Sequence, residues 1–146
     1  MKAKVIIHEL HQSTRFLSKV INKRLQDHGI FQSQWSILFC IKEFGPMSQT
    51  DIWKYLNVEA PTVTRTIAKL EKNGWVLREK GEDHREKIVV LTEKAKQEIP
   101  KIEETVEALE EQLLQELSIT EREQLVGLLK KINGTAQSPR EDKANE

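Results

Sequence analysis

The chain has 146 residues, of which 38% are hydrophobic and 32% charged, and its formal net charge at pH 7 is zero. This hydrophobic content is enough for one domain with a core, and the zero net charge argues against a protein that binds nucleic acid indiscriminately. The charge is nevertheless segregated, because residues 1–50 carry +4, residues 51–95 carry +1 and residues 96–146 carry −5. Phosphates would be repelled by the last third of the chain, so DNA would have to meet the other two.

Cysteine usage and the start of the chain predict the cellular location. Cys40 is the single cysteine, so no intramolecular disulfide can form and a reducing compartment is indicated. The chain does not open with a charged and then apolar leader, and its apolar runs are shorter than a membrane span. We therefore expect a cytoplasmic protein with no membrane partner.

Two helices are predicted before the central motif. Residues 3–27 place apolar side chains, Ile6 and Leu10 among them, at helical spacing on more than one side. A helix with such a wide apolar surface usually packs against two partners, for example its own core and a second subunit. Residues 31–44 form a second, largely buried helix that stops at Gly45-Pro46.

A helix-turn-helix is predicted next. Ser48-Gln-Thr-Asp51 has the pattern of a capping box and begins a short helix that ends near Asn57. A second helix runs from Ala60 to Asn73-Gly74, with Pro61 in its first turn, where no N–H is needed. Two helices joined by a few residues form this motif, and its second helix normally enters a DNA groove.

The second helix has two distinct faces. Val63, Ile67 and Leu70 fall on one narrow stripe, which is the predicted core side. The outward face has neither an acid nor a large apolar residue, and it consists of Pro61, Thr62, Arg65, Ala68, Lys69 and Lys72. Such a face can approach a polyanion, although an ordinary solvated helix fits this pattern equally well.

A hairpin follows, and with it a family resemblance. β-Prone runs at residues 75–80 and 87–91 flank the polar tip at residues 81–86, which together predict a winged helix. The stretch Leu70-Glu-Lys-Asn-Gly-Trp-Val-Leu-Arg78, followed by Asp83-His-Arg85 and Val89-Val-Leu-Thr92, resembles the signature of the multiple-antibiotic-resistance-regulator (MarR) family. The resemblance extends over roughly residues 6–132, and the Asp-x-Arg tip ending in Leu-Thr is its most specific part.

Two helices are predicted after the hairpin. The first begins at Thr92, is expected to kink at Pro100, and carries a heptad-like seam that calls for a packing partner. A second capping box at Ser118 opens the last helix, and residues 135–146 are predicted to be disordered. The predicted dimer interface combines these helices with the first one: Ile6, Leu10, Ile102, Val106, Leu109, Leu113, Leu125 and Leu128.

The predicted fold is mainly α with a small β-hairpin wing, in the order α-α-α-α-β-β-α-α. Residues 1–30 and 92–134 form a helical dimerisation region, and residues 31–91 form the winged helix-turn-helix DNA-binding domain. The resemblance implies the same arrangement, since the active unit of the family is a dimer. A two-fold dimer suits a palindromic double-stranded operator.

Other chemistry has little support in the sequence. His8 and His11 lie one helical turn apart without a third clustered ligand, so no metal site is predicted. No constellation of nucleophile and base, paired carboxylates or phosphate loop is visible, so we expect neither an enzyme nor a cofactor. Cys40 lies among apolar residues and is expected to be inert. Some members of the family sense oxidants through a cysteine in the first helix, where this chain has none.

The resulting hypothesis is a dimeric transcriptional regulator, a repressor released by a small ligand or a redox signal. The resemblance implies aromatic acids or phenols as effectors, bound between the helical bundle and the winged helix. The alternative is a winged helix that serves only as a protein-interaction module and does not bind DNA.

Roles in DNA binding follow from position in the motif. Arg65 is expected to read a base edge, Lys69 and Lys72 to contact phosphates, and Thr62 and Thr64 to contact either. The backbone at Ser48 and Gln49 can offer N–H groups to a phosphate. By resemblance, Arg85 enters the minor groove and Asp83 holds it through an ion pair. The predicted set is Ser48, Gln49, Pro61, Thr62, Thr64, Arg65, Lys69, Lys72, Asp83, His84 and Arg85.

Overall fold

The computed structural model describes residues 1–83 and 85–134. The predicted class is confirmed, because the described chain is mainly helical with one small antiparallel sheet. The predicted disorder of residues 135–146 lies outside the described residues. The elements are α1 (Ala3–Leu25), a 3-10 turn (Gln26–His28), α2 (Gln32–Phe44), β1 (Met47–Ser48), α3 (Gln49–Leu56), α4 (Ala60–Lys72), β2 (Val76–Lys80), β3 (Lys87–Leu91), α5 (Glu93–Leu113) and α6 (Ile119–Asn133).

One strand is additional to the predicted order. β1 pairs antiparallel with β3, with Met47 opposite Val89 and Ser48 opposite Ile88, so the sheet has the order β1-β3-β2. A strand of two residues is too short to show a period-two pattern, which is why the sequence gives no signal for it. This pairing attaches the middle of β3 to the residue at which α3 begins.

Local signals place the helix ends where they were expected. The Ser48 hydroxyl accepts a hydrogen bond from the Asp51 N–H at 3.1 Å, which caps α3. Asn57 and Gly74 adopt left-handed conformations with φ of 57° and 80°, after α3 and α4 respectively. At the start of α6 both hydrogen bonds of the Ser118–Glu121 capping box are formed. α5 continues through Pro100 to Leu113.

The core forms around the buried stripe of α4. Val63, Ile67 and Leu70 are fully or almost fully buried, as predicted, together with α2 residues such as Leu38 and Ile41. The same cluster also includes Leu25 at the end of α1 and Ile99, Ile102 and Val106 of α5. The winged helix and α5 therefore share one hydrophobic core.

The heptad-like seam of α5 has its partner within the same chain. Ile102, Val106 and Leu109 are buried, and α5 packs against α1. Leu113 is half-buried. The seam therefore has at least one packing partner within its own chain, since an amphipathic helix can present this pattern to a neighbouring helix. The assignment of these residues to a dimer interface stays a prediction.

Apolar side chains that the chain leaves uncovered are concentrated on α1 and α6. α6 contains no buried residue, and Arg122 connects its first turn to the end of α5 by donating to the Leu114 carbonyl at 2.9 Å. Leu10 is half-buried. The exposed apolar residues of the two helices are Val5, Ile6, Ile7, Phe16, Leu17, Ile119, Leu125, Val126, Leu128 and Ile132. Among the described helices, none is long and apolar enough to cross a membrane.

The start of α5 is bonded directly to the turn that follows α4. The Thr92 hydroxyl donates to the Gly74 carbonyl at 2.6 Å and accepts from the Ala95 N–H at 3.2 Å. Lys94 Nζ donates to the Asn73 carbonyl at 2.9 Å and lies 4.7 Å from the centroid of the Trp75 ring. The position of α4 is thus coupled to that of α5.

Replacing Thr92 by valine tests this joint. Thr92→Val preserves the shape but removes both a helix cap and a hydrogen bond, so we expect a loss of about 1–2 kcal/mol in the free energy of unfolding. Urea denaturation followed by circular dichroism measures the change. Thr120→Val, at an exposed position of α6, is the control; equal midpoints for the two variants would contradict the role of Thr92.

Candidate nucleic-acid interface

The outward face of α4 presents the basic side chains that the helix pattern predicted. Arg65, Lys69 and Lys72 are exposed, as are Pro61 and Ala68. Among the described residues, none of these three cations forms a salt bridge. Their charge therefore remains available to an external anion.

Weak contacts of polar side chains orient this face. Arg65 Nη2 lies 3.5 Å from the Thr62 hydroxyl, at the upper limit of a hydrogen bond. Lys69 Nζ lies 6.0 Å from the centroid of the Phe31 ring. Thr62 is half-buried, so the longer, exposed Arg65 side chain extends furthest from this part of α4.

The first turn of α3 lies beside the first turn of α4. Gln49 Nε2 donates to the Thr64 hydroxyl at 3.4 Å, and that hydroxyl in turn donates to the Ala60 carbonyl at 3.0 Å. Two predicted contact residues on different helices are thus brought together. Ser48 differs from them, because it is only 4% exposed and its hydroxyl caps α3. The Ser48 side chain therefore stabilises the start of α3 and is not exposed on the surface.

A groove of about 340 Å³ runs between the start of α3 and the wing. Arg85 and Lys87 bring positive charge to it from the wing, and Glu86 brings a negative charge. The first turn of α3 contributes Gln49 and Thr50 to this groove, at the end of the helix that carries the positive end of the helix dipole. The groove is lined by Ser48, Gln49, Thr50, Arg78, Arg85, Glu86 and Lys87.

Backbone hydrogen bonds shape the wing tip. Asp83 Oδ1 accepts from the Arg85 N–H at 3.1 Å, the Asp83 carbonyl accepts from the Glu86 N–H at 2.9 Å, and the Gly81 N–H donates to the Glu86 carbonyl at 3.1 Å. The expected ion pair between the Asp83 and Arg85 side chains is not formed among the described residues. The short Asp83 carboxylate instead binds the N–H two residues on, as in an Asx turn, which leaves the Arg85 side chain exposed. His84, also assigned to the contact set, lies outside the described residues.

An ion pair that the sequence argument overlooked connects the helix to the wing. Arg78 in β2 donates to Glu71 in α4 from Nη2 to Oε1 at 2.8 Å, and from Nε and the backbone N–H to Oε2, both at 3.3 Å. These hydrogen bonds lower the pKa of Glu71 and raise that of Arg78. The signal was present, since Glu71 is the one acid at the flank of the basic face and Arg78 lies four residues after Gly74, in the strand that follows the Asn-Gly turn.

The described residues contain no group of three His, Cys, Asp or Glu side chains that could hold a metal ion. His8 and His11 lie on the exposed part of α1. His28 Nε2 lies 2.9 Å from the Thr105 hydroxyl, which connects the end of α1 to α5.

Comparisons with known proteins agree with this geometry. The model of the MarR family matches residues 30–87. The uncharacterized HTH-type transcriptional regulator YwoH of Bacillus subtilis (strain 168) is 49% identical over 118 residues, which covers 81% of this chain and 86% of the relative.

Solved structures of regulators share the fold. A mutant MarR from E. coli complexed with operator DNA is 25% identical, with a TM-score of 0.79 over 86% of this chain and 91% of that chain. The transcriptional regulator BldR from Sulfolobus solfataricus is also 25% identical, with a TM-score of 0.81 over 91% of this chain and 99% of that chain. Family, relative and fold agree, and they are those of transcription factors and not of enzymes. The chain belongs to the MarR family of winged-helix, DNA-binding transcriptional regulators.

Proposed function

We propose that this regulator is a homodimeric repressor that binds a palindromic operator in the cytoplasm and releases it when a small aromatic effector binds. The observation that carries the proposal is the exposed basic face of α4, formed by Arg65, Lys69 and Lys72, together with the exposed Arg85 of the wing. A related fold has been seen with operator DNA. Two copies related by a two-fold axis would address two half-sites about 34–36 Å apart, or a multiple of that distance.

The contacts divide by position. Arg65 lies near the start of α4, where base edges come within reach, and its planar fork can bind guanine O6 and N7 together. Lys72 lies at the far end of α4, beside the phosphate backbone. Arg85 extends from the wing, which suits the negative potential of a narrow minor groove. Backbone N–H groups at the start of α3 suit a phosphate.

Dimerisation is supported by the uncovered apolar surface of α1 and α6. Leu128 is 56% exposed and Ile6 is 46% exposed, and both belong to the predicted interface. A second copy can cover both helices at once, which removes this surface from water. Leu109 is only 6% exposed within its own chain, so a charge introduced there would disturb folding before it tested the dimer.

The effector site is proposed between α2 of the winged helix and α5 of the bundle. A cavity of about 400 Å³ lies there, lined by Trp35, Phe39 and Val106 together with four carboxylates, Glu43, Glu103, Glu107 and Glu110. Lys42 Nζ neutralises part of this charge, at 2.5 Å from Glu103 Oε1 and 3.4 Å from Glu43 Oε1. Burial, together with the charges of Glu107 and Glu111, raises the pKa of Glu110. Of the two effector classes that the resemblance implied, this cavity favours a neutral phenol over an aromatic acid.

Cys40 supports release by a ligand over release by an oxidant. The thiol is fully buried, and its burial raises the pKa of Cys40 to about 11. The nucleophile toward peroxide is the thiolate, which is scarce near neutral pH at such a pKa. The side chain is therefore proposed to act only in packing.

The assignment of reading and positioning residues has a direct test. Arg65→Ala is expected to reduce affinity for the operator by ~1–3 kcal/mol and to relax the preference at one base pair per half-site. Lys72→Ala is expected to weaken binding to all sequences alike and to lower the salt slope by roughly one per lost phosphate contact. Arg85→Ala is expected to lose discrimination for A·T-rich flanks.

Titrations of operator and scrambled duplexes at several salt concentrations measure these three effects. Equal weakening of both duplexes by Arg65→Ala would make Arg65 a phosphate contact. If none of the three variants changes binding, the winged helix does not carry DNA here and the interaction-module hypothesis replaces the repressor.

The dimer is tested at the exposed position Leu128. Leu128→Glu buries a charge in the proposed interface, so we expect a folded monomer that binds the operator at least ~tenfold more weakly, because it engages one half-site at a time. Multi-angle light scattering at micromolar concentration measures the mass. The control is Lys130→Glu, which lies on another face of α6. It reverses a charge, a larger change than in Leu128→Glu, and should leave the dimer intact. A dimeric Leu128→Glu protein would place the interface elsewhere.

The charge preference of the cavity is tested with two probes, tert-butylphenol and salicylate. Calorimetry should show the neutral phenol binding at least ~tenfold more tightly, since salicylate would enter a site with four carboxylates. Glu107→Gln should raise the affinity for salicylate by roughly threefold and leave that for the phenol unchanged. Glu104→Gln, on α5 outside the cavity, is the matched control. Tighter binding of salicylate to the unmodified protein would restore the aromatic-acid hypothesis.

A further inference from the structure

We infer that Glu71 and Arg78 are positioning residues, which hold the wing at a fixed orientation to α4 so that Arg65 and Arg85 reach their DNA contacts together. The inference rests on the proposed function, because it assigns how two DNA-contacting parts of that interface are coordinated. Glu71 does not need to touch DNA for this role.

The Glu71 carboxylate binds Arg78 at two places, its guanidinium group and its backbone N–H. Three hydrogen bonds converge on one carboxylate: the Arg78 Nη2 donates to Oε1 at 2.8 Å, and Nε and the backbone N–H both donate to Oε2 at 3.3 Å. Because one donor is the backbone itself, Glu71 holds the strand β2 and not only the tip of a flexible side chain. A bidentate arginine–carboxylate pair also restricts the relative angle of the two groups, which a lysine could not do.

The pair lies where it can control the whole wing. Glu71 is in the last turn of α4, and Arg78 is the central residue of β2, opposite Val89 of β3. Fixing Arg78 therefore fixes both strands of the hairpin. Arg85 is carried at the tip of this hairpin, beyond the last paired residues, Lys80 and Lys87.

The other supports of the wing act on β3 and on the turn before β2. β1 pairs with β3 at Val89 and Ile88, level with Arg78 and Glu79 of β2, and Thr92 bonds to the carbonyls of Gly74 and Trp75. Among the described residues, Glu71–Arg78 is the ion pair that connects a side chain of α4 to the wing. Such a partly exposed pair contributes little to global stability, so its effect should be seen in geometry.

The pair is present over the pH range in which DNA binding is measured. Hydrogen bonding to Arg78 is the main cause that lowers the pKa of Glu71, and Lys87 lowers it further. A carboxylate with a lowered pKa stays ionised above its ordinary value and loses its partner only when the pH falls through the lowered one. The attachment is thus constant near neutral pH.

Preorganisation of the wing is the reason why the pair is expected to increase the affinity for DNA. A wing already held in its bound orientation loses little freedom when Arg85 contacts DNA, so more of that contact appears as affinity. If Glu71 is removed, the wing has to be ordered during binding, and the contribution of Arg85 falls. Arg65 stands on α4 itself, so its contribution should be unaffected.

The experiment compares single substitutions in three backgrounds: the unmodified chain, Glu71→Ala and Glu79→Ala. Glu79 follows Arg78 in β2 and is exposed, so Glu79→Ala removes the same charge near DNA without touching the pair. In each background the fold-change in operator affinity caused by Arg85→Ala and by Arg65→Ala is measured. In the Glu71→Ala background we expect the Arg85→Ala effect to shrink at least about threefold and the Arg65→Ala effect to persist, whereas both persist with Glu79→Ala.

Three results would overturn the inference. If both effects persist with Glu71→Ala, the pair does not position the wing, while DNA binding by the proposed residues stands. If both shrink in parallel, the pair supports the fold in general. If Arg85→Ala has no effect even in the unmodified chain, the wing contact of the proposed function fails and the inference with it. Should Glu71→Ala fail to fold, Arg78→Lys keeps the charge but loses the fork and must show the same selective decrease.

Discussion

Burial of one narrow stripe of α4 is the constraint on which the rest of the interface depends. Val63, Ile67 and Leu70 enter a core shared with α2 and α5, and this forces Arg65, Lys69 and Lys72 into solvent on the opposite side. The turn after α4 is then bonded to the start of α5 through Thr92 and Lys94, so the position of α4 is coupled to that of the bundle. The basic face of α4 is thus oriented by packing and by two hydrogen bonds at the end of the helix.

This coupling also suggests how a signal would reach DNA. The proposed effector cavity lies between α2 and α5, and α5 begins at the residues that hold the end of α4. A ligand that changes the distance between α2 and α5 would displace the end of α4 through these hydrogen bonds, and it would couple the two sites to the extent that it binds the two arrangements with different affinity. Because four carboxylates line this cavity, the proposed ligand is a neutral phenol and not an aromatic acid. α5 is acidic, with three lysines and seven glutamates, whereas the outward face of α4 is basic.

The apolar side chains that stay uncovered on α1 and α6 are the part of the hydrophobic pattern that the single chain does not bury. In α1, part of the apolar surface is covered internally, where α5 packs against it, whereas α6 contains no buried residue. The remainder, including Ile6 and Leu128, stays in contact with water in the single chain. Exposed apolar residues grouped on two helices support the proposed dimer, and both helices belong to the region that was assigned to dimerisation on sequence grounds.

Much of the fold was already determined by the sequence, because its signals are local. The Ser48 and Ser118 caps, the left-handed Gly74 and the two faces of α4 depend on residues within one or two helical turns, and each was predicted where the structure has it. The family signature likewise identified the wing and its exposed Arg85. Tertiary structure alone decided the features that join distant parts of the chain: the pairing of β1 with β3, the burial of the α5 seam against α1, and the attachment of Glu71 to Arg78. The physical reason is that a periodic pattern specifies which side of an element is apolar, whereas the identity of its partner depends on how all the elements pack together.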